Sequence, residues 1–167
     1  MELSFLNNLD QAAFTAALAD IFEHSPWIPE ATWDRRPFSS LKELHGKLCQ
    51  TLEAAEETQK LDLIRAHPDL AGKLAVAGEL TDFSTSEQAS AQLDKLTAEQ
   101  FERMSNLNQQ YKDKFGFPFI ICVKEHTQAS IFEHFEKRVN NDADTELKDA
   151  LFQISRIAWH RLNDLIS

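Results

Sequence analysis

Apolar residues recur along this chain at steps of three and four, the spacing that gives an α-helix one buried face. Phe14, Leu18 and Ile21 form the first such stripe, behind Asp10 as an N-cap. Leu41, Leu44, Leu48 and Leu52 form the next, opened by Ser39 or Ser40. Residues 59–66 carry Leu61 and Ile64 and must stop near His67, because Pro68 disfavours helical geometry in the residue before it. Pro68 can then open a new turn through Leu70 and Leu74. Between the first two stripes, Pro26, Pro29 and Pro37 predict an ordered loop over 24–38, anchored by Trp27 and Trp33.

The second half continues in the same way. Ser84, Thr85, Ser86 and Glu87 have the pattern of a capping box, with Ser84 as N-cap and Glu87 reaching back to its N–H. Thr97 and Gln100 repeat that pattern at the head of a helix running to about Lys114. The apolar run 115–123, broken by Gly116 and Pro118, predicts a buried extended segment. Thr127 caps a helix reaching about Val139, residues 140–144 form a polar turn, and a last helix covers 145–166. These elements predict an all-α fold: an irregular bundle of seven or eight helices in a single domain over 1–167. The proline-broken segments at 24–38, 67–68 and 115–118 leave room for a pocket between helix ends.

Composition agrees with that outline. Four Gly and five Pro are too few for a many-stranded β protein, whose turns demand them at regular intervals. The formal charge of −10 repels phosphate backbones and anionic lipid, so neither nucleic acid nor membrane is expected as a partner. An anionic substrate would need a cation inside its own site. No stretch approaches the roughly 20 apolar residues that span a bilayer, the first residues lack the pattern of a secretory signal, and a cytosolic location is the default. Cys49 and Cys122 stand in no CxxC spacing and are expected as reduced thiols. His24, His45, His67, His126, His134 and His160 form neither HExxH nor HxH, so no metal site is expected. Glycine-rich phosphate loops and GxSxG elbows are also missing.

Three polar residues stand in places that ask for an explanation. Arg161 falls on the stripe of the last helix marked by Leu147, Leu151, Ile154, Ala158 and Leu165. A guanidinium facing a core cannot shed its charge, so either a structural carboxylate or a ligand anion must meet it. His67, at a helix end, is the side chain best suited to move a proton near neutral pH, or else it caps the last carbonyls. Glu87 is either a capping glutamate or a carboxylate set beside a helix N-terminus, where the free N–H groups of 84–88 could hold a ligand.

The text around these residues is specific. His67-Pro68-Asp69-Leu70-Ala71-Gly72-Lys73 is followed by Ser84-x-x-Glu87-Gln88, then Phe115-Gly116-Phe117-Pro118-Phe119-Ile120-Ile121-Cys122-Val123, then Ile157-Ala158-x-x-Arg161-Leu162. In that order and over essentially the whole chain, it resembles the 2-oxo-4-hydroxy-4-carboxy-5-ureidoimidazoline (OHCU) decarboxylase family. The resemblance implies an all-α homodimer that forms (S)-allantoin from a small ureidoimidazoline by losing carbon dioxide, in urate degradation and without a cofactor. It implies His67 as catalytic acid/base, with Glu87 and Arg161 beside it. Pro68, Ser84, Thr85, Ser86, Gln88, Phe119, Ile120, Ile121, Cys122 and Val123 would line the substrate, largely through backbone groups. Family members often carry Gly-Leu where this chain has Gln92-Leu93, and Arg or Gly where 124–126 reads Lys124-Glu125-His126. Two other functions fit the residues taken alone: a helical protein–protein interaction module using Trp27 and Trp33, and a ureide hydrolase using His67 and Glu87.

Overall fold

Helical spacing holds throughout the computed structural model, which describes Met1–Ser167: ten α-helices, three 3-10 turns and no strand. The helices beyond the expected seven or eight are short ones. Leu3–Asn7 (α1), Trp27–Thr32 (α3) and Lys73–Val76 (α6) span five, six and four residues, too few to print a periodic stripe. The chain forms two compact units, Met1–Ala66 with Ser155–Ser167, and His67–Ile154.

In the first unit, α2 (Gln11–Ala17) is capped by Asp10, which accepts from the Ala13 N–H at 2.8 Å. It stops before Leu18 and Ile21, which are buried in the turn that follows. The loop expected over 24–38 contains α3 instead. Pro29 occupies the third position of that helix, where the missing N–H would have had no intrahelical partner. Trp33 then donates from Nε1 to the Leu9 carbonyl at 3.0 Å, with the Arg36 guanidinium 4.1 Å over its ring. Both groups tie it into the fold. Helix α4 (Leu41–Glu53) buries Leu44, Leu48 and Leu52 behind Ser40, whose hydroxyl accepts from the Glu43 N–H. It packs on α3, and α3 on α2. Helix α5 (Glu57–Ala66) ends one residue before His67, as Pro68 requires.

The second unit is built on α8 (Ala98–Phe115), opened by the Thr97/Gln100 capping box and closed by Gly116 at φ 75°, a left-handed position that suits glycine. Its buried face is Met104, Leu107, Asn108 and Tyr111, a stripe with one polar member. Tyr111 meets Phe119 and Phe135 edge-on, and those two rings stack 3.9 Å apart. The extended segment ending at Val123 is thereby seated on α8 and α9 (Gln128–Arg138), the latter capped by Thr127 as expected. Helix α10 (Ala143–Leu165) runs from this unit into the first. Its buried positions are Glu146, Ala150, Ile154, Ile157, Ala158, Arg161 and Leu162, whereas Leu147, Leu151 and Leu165 are half-exposed. The buried face is rotated toward the polar partners that receive Glu146. Cys49 and Cys122 form no disulfide, and no helix is long and apolar enough to cross a membrane.

Candidate active site

Pro68 does not open a helix. Residues 67–72 form a loop, and α6 starts only at Lys73. Ala71 adopts φ 49°, a left-handed conformation that costs an L-residue roughly 1–2 kcal/mol. Side chains from two helices hold it there. The Gln88 Oε1 accepts the Ala71 N–H at 2.9 Å, and the Gln88 Nε2 donates to the Asp69 carbonyl at 3.3 Å. Asn108 donates to the Leu70 carbonyl at 2.9 Å, and Lys112 pairs with Asp69 at 2.6 Å. A Cβ on Gly72 would lie 2.7 Å from the Asp69 Cβ, so only glycine fits the turn. His67, at the head of this braced loop, is 9% exposed.

Helix α7 (Asp82–Ser90) begins three residues earlier than the capping-box pattern suggests. Thr81 is the N-cap, and its hydroxyl accepts from the Ser84 N–H at 3.3 Å. The Thr85 N–H goes to the Thr81 carbonyl. The N–H groups of 84–88 are therefore spent within the helix, and Glu87 is not a capping glutamate. It lies mid-helix and is only 9% exposed, where a carboxylate must be partnered. Ser84, Glu87 and Gln88 share the buried face at helical spacing, while Thr85 and Ser86 are exposed.

The same α7 packs against the 3-10 turn Val123–Glu125 that follows the extended segment. Phe119, Ile120, Ile121, Cys122 and Val123 are each at most 5% exposed. The second unit thus brings together three of the stretches singled out in the sequence: the His67–Pro68 loop, the buried face of α7, and residues 119–123. A cavity of about 400 Å³ in this unit is lined by Ala71, Leu80, Thr85, Gln88, Leu93 and Phe101 among others. Neither His67 nor Glu87 is among its lining residues.

Arg161 belongs to the first unit, where it is 1% exposed. Its Nη1 donates to the Glu23 Oε2 at 2.8 Å and to the Asp20 carbonyl at 3.0 Å. Glu23, itself 2% exposed, is the structural carboxylate that Arg161 demanded. Only its remoteness in sequence hid it. Gln88, Asn108 and Glu23 are the supporting residues that periodicity missed. Asn108 was visible as a polar residue on the Met104–Leu107–Tyr111 stripe.

A family model described as OHCU decarboxylase matches residues 7–163. The chain belongs to the OHCU decarboxylase family. Within that family it is 40% identical over 167 residues to the 2-oxo-4-hydroxy-4-carboxy-5-ureidoimidazoline decarboxylase of Haloferax volcanii, covering 100% of this chain and 97% of that one. The protein of the same name from Halalkalicoccus jeotgali is 41% identical over 160 residues, covering 96% and 89%. Among solved structures, an (S)-allantoin synthase superposes with a TM-score of 0.81 at 28% identity, over 99% of this chain and 54% of that one. The OHCU decarboxylase match includes all four motif stretches read from the sequence, and the all-α fold expected from it is the fold observed.

Proposed function

We propose that this chain decarboxylates 2-oxo-4-hydroxy-4-carboxy-5-ureidoimidazoline to (S)-allantoin in urate degradation, acting as one catalytic domain over 1–167. The observation that carries this reading is that a buried imidazole, His67, and a buried mid-helix carboxylate, Glu87, stand on two elements that Gln88 ties together. Family membership gives that pair its substrate.

The chemistry suits these groups. The substrate carbon that bears the carboxylate also bears a hydroxyl and adjoins a ring C=N. When its bond to the carboxylate breaks, carbon dioxide leaves, the electron pair moves into the C=N and the ring nitrogen takes up a proton from water, giving an enol-amine. The enol then loses its hydroxyl proton as the neighbouring carbon gains one, which leaves the carbonyl and C–H of allantoin. Because the substrate carries its own electron sink, the reaction asks for no pyridoxal or thiamine group. His67 takes the hydroxyl proton and returns one to a single face of the ring. Glu87 orients the substrate through its N–H groups. Pro68, Ser84 and residues 119–123 complete the lining.

The same resemblance supports a homodimer working in the cytoplasm. The interaction-module reading loses its main feature, because Trp33 is spent on Leu9 and Arg36. To test the proposal, the substrate is generated in situ from urate by upstream enzymes, and carbon dioxide and the circular dichroism of allantoin are followed. Accelerated carbon dioxide release with an excess of the S enantiomer is expected. Ring opening without carbon dioxide would mean a hydrolase instead.

A further inference from the structure

The segment 119–123 is held from behind by a closed circuit of side chains. The Ile120 carbonyl accepts from the Arg138 Nη1 at 2.8 Å. Two residues on, the Cys122 N–H donates to the Gln153 Oε1 at 2.9 Å. The circuit closes through Asp149: the Gln153 Nε2 donates to its Oδ1 at 3.4 Å, and its Oδ2 lies 3.0 Å from the Arg138 Nε. Arg138, 5% exposed, is fixed further by Glu146, which also accepts from the Tyr111 hydroxyl at 2.6 Å and from Asn141 at 3.0 Å. Glu146, Asp149 and Gln153 lie at steps of three and four on α10, so one helix face supplies the backing.

In extended chain, the N–H and C=O of successive residues point to opposite sides. Residues 120 and 122 both turn to the circuit, so Ile121 between them turns away from it. Ile121 is 3% exposed, and neither its N–H nor its carbonyl takes part in a hydrogen bond within the chain. A buried peptide with both polar groups unpaired is uncommon and costly. A donor and acceptor side by side match the adjacent C=O and N–H of a ureide.

We propose that Arg138, Asp149 and Gln153 are positioning residues, which lock the peptide orientation of 120–122 so that the Ile121 N–H and carbonyl are presented to the substrate's amide edge. The inference rests on the reading of 119–123 as substrate lining. Gln153 is the residue to vary, since it is half-buried and Met matches its length without an acceptor. Steady-state kinetics on the in situ substrate should show Gln153→Met lowering kcat/KM about tenfold, chiefly through KM, the loss of one hydrogen bond's worth of orientation. Its melting temperature should fall by only a few degrees, the cost of one unpaired N–H. Gln153→Glu combined with Asp149→Asn keeps an acceptor for the Cys122 N–H without setting two carboxylates against each other, and should recover wild-type KM to within about twofold. A wild-type KM for Gln153→Met overturns the positioning role and leaves the decarboxylase assignment standing. Equal losses in both variants, tracking lost stability, overturn it too. A wild-type chain that forms no allantoin overturns the decarboxylase assignment, and the positioning role with it.

Discussion

Gln88 grips the loop that carries His67: its side chain accepts the N–H of Ala71, whose backbone is left-handed, and donates to the carbonyl of Asp69. One amide on α7 therefore ties the helix that holds Glu87 to the loop that holds the imidazole. Gln88→Leu should lower kcat/KM about 100-fold, because a misplacement near 1 Å at a reacting group costs that much. Stability should fall by only about 1–2 kcal/mol, the cost of a buried unpaired group. Kinetics and thermal melting on the same sample check both. Gln88→Glu, which keeps the acceptor for Ala71, should fall between the two.

Gly72 makes the same loop sterically exacting. Gly72→Ala places a methyl 2.7 Å from the Asp69 Cβ, so the loop must shift away from its Gln88 and Asn108 partners. The expected result is a loss of about 1–3 kcal/mol of stability, as for other overpacked sites, with most activity gone. Chemical denaturation and turnover measure it.

Gln92 stands at φ 59° and exposed, in a left-handed conformation that suits glycine. Its carbonyl accepts from Gln128, a bond that any residue can keep. Gln92→Gly removes the left-handed penalty and adds a smaller chain-entropy cost, so it should stabilise the protein by about 0.5 kcal/mol. An upward shift in melting temperature is the readout.

His126 is held below the ordinary histidine range by burial, with His134 beside it adding to the effect. Folding favours its neutral ring. As pH falls through the ordinary value of 6.5, the unfolded chain takes up a proton that the folded chain resists, and stability declines. Melting temperatures between pH 8 and pH 5 should show a loss below about pH 6.5 that His126→Gln reduces.

Much of this was legible in the residue order, and the exceptions have physical causes. The caps Asp10, Ser40, Thr97 and Thr127 each stand where a short polar side chain precedes an apolar stripe, and each makes its bond. The Ser84 cap was displaced because Thr81, three residues earlier, offers the same hydroxyl at the true helix start. Pro29 looked like a helix breaker, but a first turn needs no N–H from it. His67 and Glu87 stood out by chemistry and by the motifs around them. Gln88 stood in a motif that did not show its grip on the loop, and Asn108, Gln153 and Glu23 did not stand out, because the partners of all four are backbone groups or side chains far along the chain. Periodicity shows which face of a helix is buried. It cannot show what a polar residue meets there.

The most direct test of the account is the handedness of allantoin formed from in situ substrate with His67→Ala. Loss of the S excess to the racemic background, with helicity and melting temperature near wild type, is the predicted result. Wild-type rate and handedness from that variant would contradict it.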